Sequence, residues 1–193
     1  MILETIITSI NYDGKPHVAP FGVRMENENI IISPYKPSHT LENILASKVA
    51  VMNNSDDVRV FAGALTGRQP WTLVPTNQIN GFRLKNCLAH TELQLLRVHD
   101  DALRPQLVMQ PLISENHGTF KGFNRAQAAV LELAVLVSRL DRLPKTKVES
   151  ELQYLQIGID KTAGDIEREA WGWLIEKMQN FYKKMPTTLL KSN

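Results

Sequence analysis

Apolar and polar positions set out a run of strands through the first third of the chain. From Ile2 to Ile10 β-branched residues dominate, and Asn11–Pro16 (NYDGKP) follows with the Asp-Gly pair that tight turns favour, because glycine accepts a positive φ. The pattern predicts a hairpin whose second strand is HVAPFGVRM, His17 to Met25, turned again by Glu26–Asn29 into a third strand over Ile30–Ser33. Pro20 and Gly22 interrupt the second strand. Proline donates no ladder hydrogen bond and glycine packs nothing, so APFG is expected to be a bulge or a stretch of backbone facing a ligand. A short helix is predicted over Leu41–Ser47 and a fourth strand over Val49–Asn53. Val58–Gly67 fits either helix or strand, and Arg68–Asn80 reads as a loop around Pro70, Trp71 and Pro75.

Two further strands are predicted, at Cys87–Val98 and Pro105–Ser114, which makes the first two-thirds an antiparallel sheet curling towards a barrel. From Asn124, a good N-cap, the periodicity becomes helical and runs to a stop at Pro144. Lys147–Ile159 and Thr162–Met185 read as two more helices. In the last, Ile166, Ala170, Trp173 or Leu174, Met178 and Phe181 share one face. The fold class is therefore α+β: an antiparallel barrel over residues 1–122 and a helical C-terminal part over 123–193.

Composition narrows the function. With 193 residues, 43% hydrophobic and 22% charged, the chain buries a core of ordinary size. Lysine and arginine number 22 against 20 acidic residues, and no block of like charge breaks the mixture, so neither nucleic acid nor a membrane surface is expected as a partner. One cysteine, Cys87, excludes an internal disulfide and a thiolate-only zinc site; it is expected to be a small buried hydrophobe. The N-terminus carries Glu4 within its apolar stretch and reads as a strand, not as a signal peptide. The most apolar run, AVLELAVLVSRL, is interrupted by Glu132 and Arg139 and falls short of the roughly 20 residues that span a bilayer. A soluble, cytoplasmic protein is the expectation. Glu132 and Arg139 lie on one helical face, where a buried ion-pair network or a contact with a second copy would accommodate them.

The candidate chemistry lies in the turn before the first helix. Lys36, Ser38, His39 and Thr40 stand where a helix offers unpaired N–H groups and the positive end of its dipole, a setting that suits an anion such as a phosphate monoester. Ordinary capping explains the same hydroxyls. His17, just before APFG, is a candidate hydrogen-bonding residue but not a catalytic one. Arg125, after a Gly-Phe-Asn turn, is a candidate for an anionic ligand. No Ser-His-Asp order, glycine-rich nucleotide loop or metal-ligand cluster is legible, and His90 in HTELQ and His99 in HDD stand too isolated to ligate a metal. No general acid or base is marked.

Taken together, LETIITSINYDGKPHVAPFGV at Leu3–Val23, GFNRAQAAVLELAVLVSRL at Gly122–Leu140 and TAGDIEREAW at Thr162–Trp171 resemble a family of unknown function within the FMN-binding split-barrel, flavin reductase-like superfamily. Ser38, Thr40 and Asn43 match that superfamily's Ser-x-Thr-x-x-Asn segment. The resemblance implies a homodimeric split barrel with FMN as cofactor, acting with a small-molecule electron donor or acceptor. Its function would be that of a flavin-dependent oxidoreductase, or of a non-catalytic flavin carrier, sensor or assembly factor. By the same resemblance Lys36, Ser38, His39 and Thr40 hold the phosphate, the backbone of Ala19, Pro20, Phe21, Gly22 and Val23 faces the isoalloxazine, and Asn53 and Asp57 approach the ring or ribityl chain. In such a dimer Arg125 is a candidate to reach an anionic ligand of the second copy. One departure is that superfamily members often carry an arginine in the phosphate turn, where this chain has Lys36 as its cation.

Overall fold

The computed structural model describes residues 1–69 and 71–184, so Pro70 and the end of the last helix predicted from sequence lie outside the described residues. The chain forms two compact units. One holds Met1–Asp56 and Trp71–Phe120; the other holds the described residues from 57 to 69 and from 121 onward. The helical unit thus includes the segment whose pattern fits either helix or strand.

The first unit is a closed antiparallel barrel. Its strands are β1 (Ile2–Ile10), β2 (Pro16–Glu26), β3 (Asn29–Ile32), β4 (Val49–Asn54), and, after a separate ribbon of β5 (Leu73–Pro75) and β6 (Phe82–Leu84), β7 (Ala89–His99) and β8 (Gln106–Asn116). Around the barrel they run β1-β2-β3-β8-β7-β4. Helix α1 (His39–Ser47) sends Leu41 and Ile44 into a core shared with Ile7, Val23, Ile32 and Leu93.

No bulge occurs at APFG. The β1–β2 register is unbroken from Ile2↔Arg24 to Ile10↔Pro16. Pro20 is tolerated because β3 pairs with β2 only at Arg24–Glu26, which leaves this part of β2 an edge where a missing N–H costs nothing. Gly22 makes room for side chains of the neighbouring strand: a Cβ there would stand 2.9 Å from Ile2 Cγ2 and 3.2 Å from Glu4 Oε1. Irregular register is found instead between β7 and β8, at Glu92/Leu93 and Leu95/Arg97. Cys87 precedes β7 and is buried, its thiol donating to the Leu84 carbonyl at 3.1 Å.

The helical unit comprises α2 (Arg59–Thr66), α3 (Arg125–Val137), α4 (Lys145–Thr162) and α5 (Asp165–Lys184). Val58, Ala62, Val130, Leu133, Val148 and Leu174 belong to its single core. Gly158 allows α4 to approach α3, since a Cβ there would lie 3.3 Å from the Arg125 carbonyl oxygen. Helix α3 ends at Val137, where the Ser138 hydroxyl donates to the Val135 carbonyl at 2.7 Å. Glu132 and Arg139 are both exposed, so the expected buried ion-pair network is absent among the described residues. The buried face of α5 is Glu167, Ala170, Trp171, Leu174 and Met178, while Ile166 faces solvent. Among the described residues no helix is long and apolar enough to cross a membrane.

One buried charge fastens a loop to the barrel wall. Glu92 on β7 is 0% exposed, and its carboxylate accepts the backbone N–H groups of Asn77, Gln78 and Ile79 at 2.9, 2.8 and 2.9 Å. Burial pushes its carboxyl pKa up, but these three donors together with His90 outweigh burial and hold it below the ordinary range. The stability it contributes is therefore in place above the unfolded pKa of about 4.3 and is lost as pH falls through the lower folded value. Glu92→Leu, which strands three donors, is expected to lower the unfolding free energy by about 3 kcal/mol, and Glu92→Gln by less. Urea unfolding at pH 7 checks the cost, and a wild-type minus Glu92→Gln difference that shrinks as the pH is taken from 5 to 3 checks its pH dependence.

Candidate functional site

Two features read separately in the sequence meet on the barrel. Beyond the three pairs it makes with β3, β2 leaves Pro16–Val23 with no strand on that side. In an antiparallel strand alternate residues turn their N–H and C=O outward, so this stretch presents unpaired backbone groups to whatever lies alongside. Next to it stands the start of α1. Ser38 is the N-cap (φ −151°, ψ 123°), its hydroxyl accepting the Leu41 N–H at 3.3 Å. The rings of His17 on β2 and His39 on α1 are 5.7 Å apart at 72°. Burial, and next the neighbouring His39, lower the His17 pKa, which keeps its imidazole neutral and able to accept a hydrogen bond at pH 7.

Lys36 is already engaged. Its ammonium donates to the Asp100 carboxylate at 3.0 Å and to the Asp101 carbonyl at 2.9 Å, and its backbone N–H donates to Leu103 O at 2.8 Å. The ion pair with Lys36 draws the exposed Asp100 carboxyl below its ordinary pKa. The same loop supplies a second cation. Arg104 Nε donates to Ser33 O at 3.0 Å, and its guanidinium lies 4.8 Å over the Tyr35 ring. Arg104 thus stands beside the turn that holds Lys36. No sequence signal marks it, because its proximity depends on how the β7–β8 loop folds back.

The remaining candidates divide. His39 is exposed, 3.6 Å from Glu42, whereas Thr40 is buried. Asn43 is buried too and donates to Ser9 Oγ at 3.0 Å, tying α1 to β1. Ala19, Pro20, Phe21 and Gly22 are half-buried along the open edge. Asn53 is 0% exposed and spent on the barrel: its amide nitrogen donates to Ile6 O and Thr8 Oγ1, and its oxygen accepts the Leu84 N–H at 2.8 Å. Asp57 belongs to the helical unit, where its carboxylate pairs with Arg59 at 2.7 Å. Arg125, at the start of α3, borders a cavity of about 270 Å³ shared with Glu132 and Tyr154.

The C-terminal motifs join one another. Asn124 caps α3 by accepting from Ala126 N at 2.7 Å, and its amide donates to Thr162 O at 3.1 Å. Gln127 Nε2 donates to Glu167 at 3.2 Å, while Glu167 also accepts the Gly164 N–H at 2.9 Å in the manner of a capping box. GFNRA and TAG are thus two sides of one network within the helical unit.

The sequence leaves His90 isolated, but the fold does not. His90 and Glu115 are paired across β7 and β8, and His117 Nε2 lies 2.8 Å from His90 Nδ1. These three side chains offer metal-ligating atoms that all lie within 4.8 Å of one another. The sequence hides them because 27 residues separate the two histidines and only the register brings them together.

Residues 3–118 match the model of a family described as protein of unknown function (DUF447), N-terminal domain, and residues 124–176 match the model described as protein of unknown function (DUF447). No protein of curated function matches the sequence. Among solved structures, an FMN-bound protein of the same family model from Methanosarcina mazei is similar, with a TM-score of 0.78 and 23% identity over 91% of this chain and 94% of that one. A 2-nitrobenzoate 2-nitroreductase from Pseudomonas fluorescens gives 0.52 at 20% identity, over 59% and 64%. The flavoredoxin of Desulfovibrio vulgaris gives 0.50 at 13%, over 60% and 70%. At these identities the likeness is one of fold.

The contact between β2 and α1 has its own test. NMR titration is expected to place the His17 pKa below the ordinary 6.5 or so. His39→Asn should raise it only part of the way back, because burial is the larger cause. A full return to the ordinary value would show that the neighbouring ring, and not burial, sets it.

Proposed function

The chain belongs to the DUF447 family, and from that premise we propose that it binds FMN and works as a flavin-dependent oxidoreductase between a small electron donor and a small acceptor. The observation that carries this reading is the meeting of the open edge of β2 with the N-terminus of α1, marked by the His17–His39 contact. The two halves suit the two ends of a flavin nucleotide. At the phosphate end, the Ser38 hydroxyl that accepts from Leu41 still has its own O–H to donate, and Lys36 and Arg104 bring positive charge to the same turn. An arriving phosphate competes with Asp100 for Lys36. At the ring end, the outward N–H of Gly22, the one such donor between Ala19 and Val23 because Pro20 has none, suits the edge of an isoalloxazine that gains electron density on reduction. FMN, when bound, supplies the electron- or hydride-transfer chemistry; the chain grips the phosphate, orients the ring and shields one face.

The FMN-bound relative and the 2-nitroreductase support the reading by fold and by what they bind or do. The proposal includes a homodimer, for which the exposed barrel side chains Ile2, Leu96, Val98 and Leu112 provide apolar surface. It also includes a cytoplasmic setting, in keeping with a lone unpaired cysteine.

The purified protein is expected to keep a visible flavin band after FMN is added and the excess removed by gel filtration, and to sediment as a dimer. A colourless protein that takes up no FMN overturns the reading. Retained FMN without turnover of NADH or NADPH with any acceptor would instead make the protein a flavin carrier. Lys36→Ala combined with Ser38→Ala should weaken FMN about tenfold or more and riboflavin far less, since only FMN carries the charge. Equal losses for the two ligands would reduce the turn to a helix cap.

A further inference from the structure

A second cluster of chemically capable side chains lies on the β7–β8 ribbon, well away from the Lys36 turn. Strand β7 enters at Ala89 and leaves at His99, so His90 and the Asp100 that pairs with Lys36 are separated by roughly 30 Å of strand. His90 and Glu115 are directly opposed in the register, and His117 follows Glu115 by two positions, so all three project from one face of the ribbon. The His90 and His117 rings meet edge to edge, with centroids 5.0 Å apart and planes 17° from parallel, and Nδ1 of the first is 2.8 Å from Nε2 of the second. One oxygen of Glu115 accepts from Asn77 Nδ2 at 3.3 Å.

What lies behind His90 distinguishes this cluster from a chance surface grouping. Its other ring nitrogen, Nε2, stands 3.5 Å from Glu92 Oε1. The Glu92 carboxylate is locked by three backbone N–H donors and serves here as an acceptor. The proton of a neutral His90 is therefore drawn to Nε2, which leaves the Nδ1 lone pair facing His117 and Glu115. A buried carboxylate orienting a histidine whose opposite nitrogen is left free is the arrangement that outer-shell groups impose on metal-binding histidines.

We propose that His90 Nδ1, His117 Nε2 and a carboxylate oxygen of Glu115 form a binding site for a divalent transition-metal ion. Two imidazoles and one carboxylate suit zinc, with the fourth position open to water or to a small anion. Binding requires modest adjustment. Two bonds of about 2.1 Å at a tetrahedral angle set the ring nitrogens about 3.4 Å apart, so the pair opens from its present 2.8 Å. His90 is buried and fixed, whereas His117 is exposed and Glu115 half-exposed, so the two outer ligands supply the movement.

The test uses the full chain, treated with a chelator and titrated with zinc chloride by calorimetry in the presence of a competing chelator. One zinc ion per chain is expected. His117→Ala should lower the affinity by about 100-fold and Glu115→Gln by about 10-fold, while His99→Ala leaves it unchanged. Both informative variants lie on the exposed side, and a far-UV spectrum confirms that each is folded. Cobalt(II) in place of zinc should give the intense visible bands of a four-coordinate site. No uptake at micromolar zinc, equal affinity in wild type and His117→Ala, or a cobalt spectrum like that of the free aqueous ion would each overturn the proposal and leave the two rings as a hydrogen-bonded pair. None of these readouts depends on flavin, so the site stands or falls apart from the FMN reading.

Discussion

Three residue pairs join β2 to β3, and the use of the barrel depends on how few they are. A closed barrel removes sheet edges, which is one way all-β proteins escape unwanted strand pairing. Here β3 is only four residues long, so the ring of strands closes while eight residues of β2 keep one side unpaired. The exposed ladder is managed by its sequence. Pro20 lies within it, Pro16 begins it, and α1 stands beside it through the contact of His39 with His17. A backbone that would be a hazard on a long flat edge becomes, over this short span, a set of outward N–H and C=O groups held in place by the strand behind them.

Much of this arrangement was legible because its signals are local. The Asp-Gly hairpin, the third and fourth strands, Ser38 ahead of α1 and Asn124 ahead of α3 all depend on residues within a few positions of one another. The bulge alternative at APFG fails for a definite reason. Proline in a strand implies either a bulge or an edge, and only the length of β3 decides between them. The buried alternative for Glu132 and Arg139 rests on a spacing along one continuous helix, whereas α3 stops before Arg139. Residues 58–67 stayed undecided because an eight-residue helix shows too little periodicity, and β5 and β6 are too short to show any. Arg104 at the Lys36 turn, and His90 with Glu115 and His117, were invisible for a different reason: each grouping is made by strand register and loop closure.

The motifs that mark the family divide along the same line. The N-terminal motif builds the open edge and leads to α1. The C-terminal ones, GFNRA and TAG with its following Glu167, interlock as caps and cross-links between helices α3, α4 and α5. Asn124, Gln127, Thr162 and Glu167 therefore explain their own presence through architecture, with no ligand required.

The division of the chain into units also orders its maturation in time. All six barrel strands are complete at Asn116, so the barrel holds its full set once that residue has left the ribosome. Helix α2 is synthesised midway through the barrel yet belongs with helices made after it: Arg59 pairs with Glu169, 110 residues later, and Arg68 with Glu176, 108 later. At about 5–20 residues per second, that partner arrives roughly 5–20 seconds afterwards. Eight residues are too few to hold a helix in water without packing. The nascent chain therefore carries α2 as an unformed apolar segment while the barrel assembles, and α2 gains its partners only once α5 has been made.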